Sequence, residues 1–443
     1  MNYYYLTRPK MREKTISLED ILYDLVTEAD LYRNYRKSSP TMTRTNCYDY
    51  RISHNSSILR GQIINYIKML KDFYYKYANF DVFYDDEYNY EKQFEVTNQI
   101  KSDWFKQNIE YSQEQLEEEI KARLARLGYK TLPYYSFYIP KHKGGLRRID
   151  APEEDFKAAL TELRDMFELM MNGNTYHTSA FAYVKNRSAK NVLDKLKENK
   201  SRWLLKIDFS NFFGSIDFDF TMRQMEKIYP FCDICATATG REILEKCLRL
   251  CFLDGRLPQG TPISPLLTNI IMIPLDYKIS NMLLKHAKDV TTFDQQKDDM
   301  NYRLIYTRYA DDINIGSHTG FDYRKVISYI EKVIEEEKAP LKIKPQKTHY
   351  GNVSGKNWVL GLMYNQDMNI TVGHNRKRQI KAMIANFAMD YKNNKQWPVQ
   401  EIQQVMGNIS YITYVEPQYM EQLITNMNQK FGIDILAVMK GLV

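Results

Sequence analysis

The sequence predicts an α+β chain, with short strands gathered around acidic residues in its middle and helices before and after them. Three observations carry this. Tyr302, Leu304 and Tyr306 alternate before Asp311-Asp312, and Ile313 and Ile315 alternate after it, which is the pattern of a hairpin with carboxylates at its tip. Arg202-Trp203-Leu204-Leu205-Lys206-Ile207-Asp208 reads as a short buried strand ending in an acid. Helical patterns run from Leu59 to Tyr77 and from Ser112 to Leu127, the second stopped by Gly128.

Taken in order, the first 120 residues read as a helical extension. Ser17-Leu18-Glu19-Asp20 has the form of a cap before Ile21-Leu22-Tyr23-Asp24-Leu25-Val26. Tyrosine interleaved with lysine and arginine suits stacking on single-stranded RNA. Amphipathic helices packing on a neighbouring domain would look the same, and packing is the favoured reading. After the Asp208 strand, Phe209-Ser210-Asn211-Phe212-Phe213-Gly214 offers aromatics that alone would be core. In Leu257-Pro258-Gln259-Gly260-Thr261-Pro262-Ile263-Ser264-Pro265, proline and glycine shape a tight loop that sets backbone amides and Gln259 near a ligand. The apolar helix from Leu266 to Met272 would turn its N-terminal dipole toward anions. A plain loop before a core helix is the alternative.

The doublet itself has a chemical meaning. Adjacent acids at a turn between partly buried strands repel each other and lose solvation. A polyvalent cation relieves both, and Mg²⁺ prefers oxygen ligands, so the tip suits metal-assisted phosphoryl or nucleotidyl transfer. Two other doublets do not read this way. Asp85-Asp86 is followed by polar Glu87-Tyr88-Asn89-Tyr90, and Asp298-Asp299 lies in a polar stretch. A strand-end turn is the plain alternative for Asp208.

An acid strand with an aromatic five residues on, a Pro-Gln-Gly loop and a Tyr-Ala-Asp-Asp hairpin, in that order, resemble the palm of a reverse transcriptase. The wider chain resembles the prokaryotic branch with retron, group II intron and defence-associated enzymes. Ile139 to Pro152 is similar to that branch's fingers hairpin, Leu341 to Thr348 and Trp358 to Leu362 to the end of its palm, and Met406 to Ile412 with Pro417 to its thumb. The resemblance implies a right-hand polymerase fold: a helical extension over 1–120, fingers over 121–200, palm over 201–370 and a helical thumb over 371–443.

It also implies roles. Asp208, Asp311 and Asp312 would be catalytic and hold two Mg²⁺ ions, with Mn²⁺ able to substitute. Lys141, Lys143 and Arg147 would clamp the triphosphate, Arg147 being the one suited to bidentate contact; for the lysines a solvated basic hairpin stays open. Gln259 would touch the nucleotide sugar or base edge, Lys347 would donate a proton to pyrophosphate, and Phe213 would exclude a 2′-hydroxyl. Arg376, Lys377, Arg378 and Lys381 open the thumb, where they could follow the template–primer backbone; a solvated helix start is the alternative.

The 443 residues carry a net charge of +7, which suits a phosphate partner without proving one. No secretory h-region follows Met1, and no apolar run approaches membrane-spanning length, so a cytoplasmic protein is expected. Cys232, Cys235, Cys247 and Cys251 mimic a zinc spacing, but the last two fall in an apolar helix, and core thiols are the favoured reading. The chain ends close to the thumb motif, which argues against maturase segments. Asn191 and Val359-Leu360-Gly361 match retron signatures only in part, with Lys195 where a histidine is typical. The expectation is therefore a reverse transcriptase of the defence-associated, abortive-infection type that uses dNTPs to copy a dedicated noncoding RNA into DNA. A second copy of the chain or an effector protein stays open as a partner. Retron-type synthesis of RNA-linked DNA, and a catalytically silent RNA-binding protein, are the alternatives.

Overall fold

The computed structural model describes residues 56–78, 80, 98–103, 116, 119, 120, 123, 124, 133–141, 144–171, 176–291, 303–353, 359–365 and 367–443. Lys143, Trp358, the cap at 17–20 and the doublets Asp85-Asp86 and Asp298-Asp299 lie outside them. In chain order, α1 (Ser56–Lys76) precedes β1 (Tyr134–Pro140), β2 (Leu146–Pro152) and α2 (Glu154–Met171). Next come α3 (Ala189–Glu198), β3 (Trp203–Asp208), α4 (Phe212–Ser215), α5 (Phe218–Met225), α6 (Phe231–Ile234) and α7 (Ala238–Arg249). α8 (Ser264–Ile271) and α9 (Ile273–Val290) lead to β4 (Ile305–Tyr309), β5 (Asp312–Ser317) and α10 (Tyr323–Glu336). A 3₁₀ turn (Pro345–Lys347), β6 (His349–Asn352), β7 (Met363–Tyr364) and β8 (Ile370–Thr371) follow. The last helices are α11 (His374–Lys392), α12 (Val399–Val415), α13 (Pro417–Phe431) and α14 (Ile435–Gly441).

The chain folds into two compact units with interleaved segments. The first takes the described residues of Met1–Thr178, with Phe209–Ile279 and Ile330–Ile343. Its β1–β2 hairpin pairs Tyr134 with Pro152 through to Pro140 with Leu146. Aromatic edges knit its core: Tyr134 meets Phe156 at 5.4 Å between centroids, and Phe167 meets Phe231 at 5.2 Å. The cysteines serve this core. Cys247 Sγ donates to Leu70 O (3.5 Å), Cys251 Sγ to Cys247 O (3.9 Å), and burial pushes the Cys235 thiol up to about 12.

The second unit takes Ser179–Asp208, Ser280–Tyr329 and Lys344–Val443. Its antiparallel sheet has the order β4-β5-β3-β6. The apolar alternation forms one face of this sheet, where Tyr306, Ile313 and Ile315 are almost wholly buried, and Thr307 and Asn314 on the opposite face are buried too. A contiguous core joins Leu193 and Leu196 of α3 and Leu204 of β3 to Ile384 and Phe387 of α11 and Ile409 and Ile412 of α12. The partial retron signature has a local explanation here. Asn191 completes a capping box with Ser188, satisfying the first turn of α3. Lys195, in the histidine's place, donates to Ser179 Oγ at 2.9 Å. Among the described residues no helix is long and apolar enough to cross a membrane.

Candidate active site

The acids meet because of strand register. β3 and β5 pair antiparallel from Trp203–Ser317 to Asp208–Asp312, so the final residue of one strand faces the first of the other. Between Tyr309 and Asp312, which also pair, Ala310 and Asp311 form the turn. Ala310 takes φ +56°, a left-handed conformation that glycine tolerates better. A fully buried arginine lies just behind it: Arg308 Nη1 donates to Ala310 O at 3.4 Å. Sequence reasoning passed over Arg308; the one signal was a cation in an otherwise uncharged strand.

Asp208 is nearly buried, and its Oδ2 accepts from Lys347 Nζ at 2.5 Å. The 3₁₀ turn that presents Lys347 is tied to the same residue, since Lys344 N donates to Asp208 O at 2.9 Å. Burial, then the charges of Asp311 and Asp208, push the Asp312 carboxyl up to about 6, against weaker opposition from Lys347 and Lys206. Among the described residues, no three acidic, histidine or cysteine side chains stand grouped so as to hold a metal ion as they are. The donor set nevertheless fits a divalent cation. It is all oxygen, it is partly desolvated, and its mutual repulsion is the quantity a cation would relieve.

The first unit holds the candidate nucleotide contacts Lys141, Arg147, Gln259 and Phe213. Lys141 opens the turn of the β1–β2 hairpin, where Lys141 N donates to Gly145 O (2.9 Å) and Gly144 and Gly145 take positive φ. Arg147 is exposed on β2, paired across the hairpin with Ile139. Gln259 lies in a loop locked from within: Thr261 Oγ1 and Ser264 Oγ are 2.6 Å apart, and Ser264 Oγ donates to Pro258 O at 2.9 Å. Pro265 stands in the first turn of α8, so the predicted loop-to-helix junction is present. Phe213 is half-buried on α4 and meets Phe212 edge-on at 5.5 Å.

The basic run at the start of α11 divides into two groups. Arg378 and Lys381 are exposed. Arg376 lies over the Tyr411 ring at 4.6 Å, and Lys377 binds Glu416 Oε2 at 2.5 Å and covers Tyr419 at 4.4 Å. Glu416 also accepts from Thr371 Oγ1 and Val372 N, so Lys377 belongs to a brace joining β8, α11 and α13.

A family model described as reverse transcriptase (RNA-dependent DNA polymerase) matches residues 139–397. The retron Ec73 reverse transcriptase of Escherichia coli is 27% identical over 311 residues, spanning 67% of this chain and 86% of that protein. The Escherichia coli retron Ec83 reverse transcriptase is 25% identical over 312 residues, 68% and 87% of the two chains. Among solved structures, an apo telomerase from Candida tropicalis aligns with a TM-score of 0.35 at 14% identity, over 54% of each chain.

Proposed function

We propose a specific reaction for this chain, which belongs to the reverse transcriptase (RNA-dependent DNA polymerase) family. It is an RNA-directed DNA polymerase of α+β, right-hand fold, related to prokaryotic retron enzymes, and its family depends on a divalent metal, typically Mg²⁺. The reading proposed for it is dNTP addition to a primer on an RNA template at Asp208, Asp311 and Asp312. The observation that carries this is the register that sets Asp208 opposite Asp312 beside the Asp311 turn.

These three carboxylates would hold two Mg²⁺ ions, or Mn²⁺ in their place. Bound there, the metal lowers the pKa of a primer hydroxyl and neutralises charge on the triphosphate. The chain's own groups supply the rest. Lys347, whose Nζ is hydrogen-bonded to Asp208, is the proposed proton donor to departing pyrophosphate. Lys141, Lys143 and Arg147 would grip the triphosphate, with Arg147 offering the forked donor. Gln259 would meet the sugar or base edge, and the Phe213 ring would leave no room for a 2′-hydroxyl. Arg376, Arg378 and Lys381 would follow the template–primer backbone, while Lys377 works mainly within the protein. In these terms residues 121–200 are fingers, 201–370 palm and 371–443 thumb, after an extension over 1–120.

The template is proposed to be a dedicated noncoding RNA, and the biological setting anti-phage defence within the cytoplasm. Similarity to the retron enzymes favours a second reading, in which the DNA stays linked to RNA. Sequencing all RNA and DNA that copurify with wild type and with an Asp311→Ala, Asp312→Ala variant tests the proposal. One RNA enriched in both, with complementary DNA only in the wild type, is expected. RNA without DNA in either, and no Mg²⁺-dependent incorporation on an added primer–template, would leave a silent RNA-binding protein.

A further inference from the structure

One residue of the β1–β2 hairpin, Asp150, ties two candidate nucleotide-binding elements together. Asp150 is 9% exposed. Its Oδ1 accepts from Ser136 Oγ and from Arg148 Nε, both at 2.6 Å, and Arg148 Nη2 reaches Ser136 Oγ at 3.3 Å. Its main-chain N–H donates to the Gln259 carbonyl at 2.7 Å. Its own carbonyl fills the space beside Gly260, where a Cβ would lie 2.8 Å away. The side chain therefore holds the hairpin, and the main chain holds the Pro-Gln-Gly loop.

We propose that Asp150 is a positioning residue for the incoming nucleotide, acting through Gln259 and the basic edge of β2; this rests on the reading of both elements as nucleotide-binding. The geometry gives the reason. Gly260 has φ +125°, a conformation that fixes the 259–260 peptide in an orientation other residues rarely adopt. Rotating that peptide would take the Gln259 carbonyl off the Asp150 N–H and re-aim the Gln259 side chain. The Asp150 carboxylate prevents this by pinning its own backbone from the other side, through one neutral and one charged donor. Successive strand residues point to opposite faces, so fixing Arg148 also fixes the direction of Arg147.

The test is Asp150→Ala beside Asp150→Asn, in steady-state primer extension on an RNA template. Asp150→Ala is expected to raise KM for dNTP about tenfold, the scale of a lost charged hydrogen bond. kcat and the KM for primer–template should stay near wild type, and the thermal midpoint should fall by only about 3 °C. Asp150→Asn keeps an Oδ1 acceptor for Ser136 and Arg148 and should recover most of the loss. Amide exchange over residues 257–263 should quicken in Asp150→Ala by a similar factor, and this readout needs no catalysis. Unchanged dNTP KM and unchanged exchange would overturn the proposal, as would kcat, KM and midpoint failing together in both variants. A wild-type protein that incorporates nothing would instead refute the polymerase reading, while the exchange result would still decide the coupling.

Discussion

Glu337 offers the most quantitative check on the first unit. Its side chain is only 4% exposed and takes charged donors from Lys227 (Nζ–Oε2 2.5 Å) and Lys278, with Gln224 Nε2 at 3.0 Å. These contacts join residues around α5 and α9 to the end of α10. Burial alone would raise the carboxyl, but the hydrogen bonds from Lys227, Lys278 and Gln224 overcome it and hold the group down at about 2, from 4.5. A folded pKa below the unfolded one means that the contribution is complete above about 4.5 and fades as pH falls through about 2. At about 1.4 kcal/mol per pKa unit, the shift corresponds to roughly 3 kcal/mol. The lysines keep 38% and 42% of their side-chain surface in water. Screening there reduces the expected value to about 2 kcal/mol. Glu337→Gln should therefore lower the thermal midpoint at pH 7 by about 3 °C, and the gap to wild type should close toward pH 2. Thermal melts followed by circular dichroism across this range measure both. A gap that is absent at pH 7, or that widens on acidification, would refute the reasoning.

Other outcomes follow from the two candidate nucleotide elements and the acids. Gly260→Ala, strained at φ +125° and 2.8 Å from Asp150 O, should raise KM for dNTP at least about tenfold with little change in primer–template binding, read by steady-state extension. Phe213→Ala should increase ribonucleotide incorporation relative to dNTP by about ten- to a hundredfold, and an unchanged ratio in single-turnover competition would remove the steric role. Lys347→Ala frees Asp208 from its counter-ion and should slow incorporation by about ten- to a hundredfold without loss of template binding, measured by rapid quench and by filter retention. Chelation of divalent ions should abolish incorporation and leave RNA binding intact.

What the sequence disclosed was whatever depends on local periodicity. The strand ending at Asp208, the hairpin around Asp311-Asp312 and the junction at Pro265 are each written in a short run of residues, because a strand face or a helix start is decided within a few positions. Register was not legible in the same way. Nothing near Asp208 says that it will face Asp312; the pairing depends on β5 lying between β3 and β4, a choice made by the whole sheet. Contacts across long separations were likewise hidden. The Lys347–Asp208 and Lys377–Glu416 pairs and the Asp150–Gln259 hydrogen bond each join residues that share no local pattern. Lys377 shows the consequence: a lysine in a basic run looks available to a phosphate backbone until the acid that holds it is seen.

A buried acid and a half-buried one in this chain meet opposite fates, and the contrast locates the function better than either alone. Glu337 is surrounded by cationic donors and lies far below the ordinary carboxylate range. Asp312 is also drawn from water, yet its neighbours are Asp311 and Asp208, and its carboxyl rises to about 6. Lys347 is hydrogen-bonded to Asp208 at the edge of this cluster. A raised folded pKa means that the ionised site opposes folding at neutral pH, whereas Glu337 supports it. A fold that neutralises an acid so completely in one unit has no structural use for the repulsion it keeps in the other. A divalent cation would relieve this repulsion further than Lys347 and Lys206 do, which is the condition a metal-dependent nucleotidyl transfer site must meet before its substrate arrives.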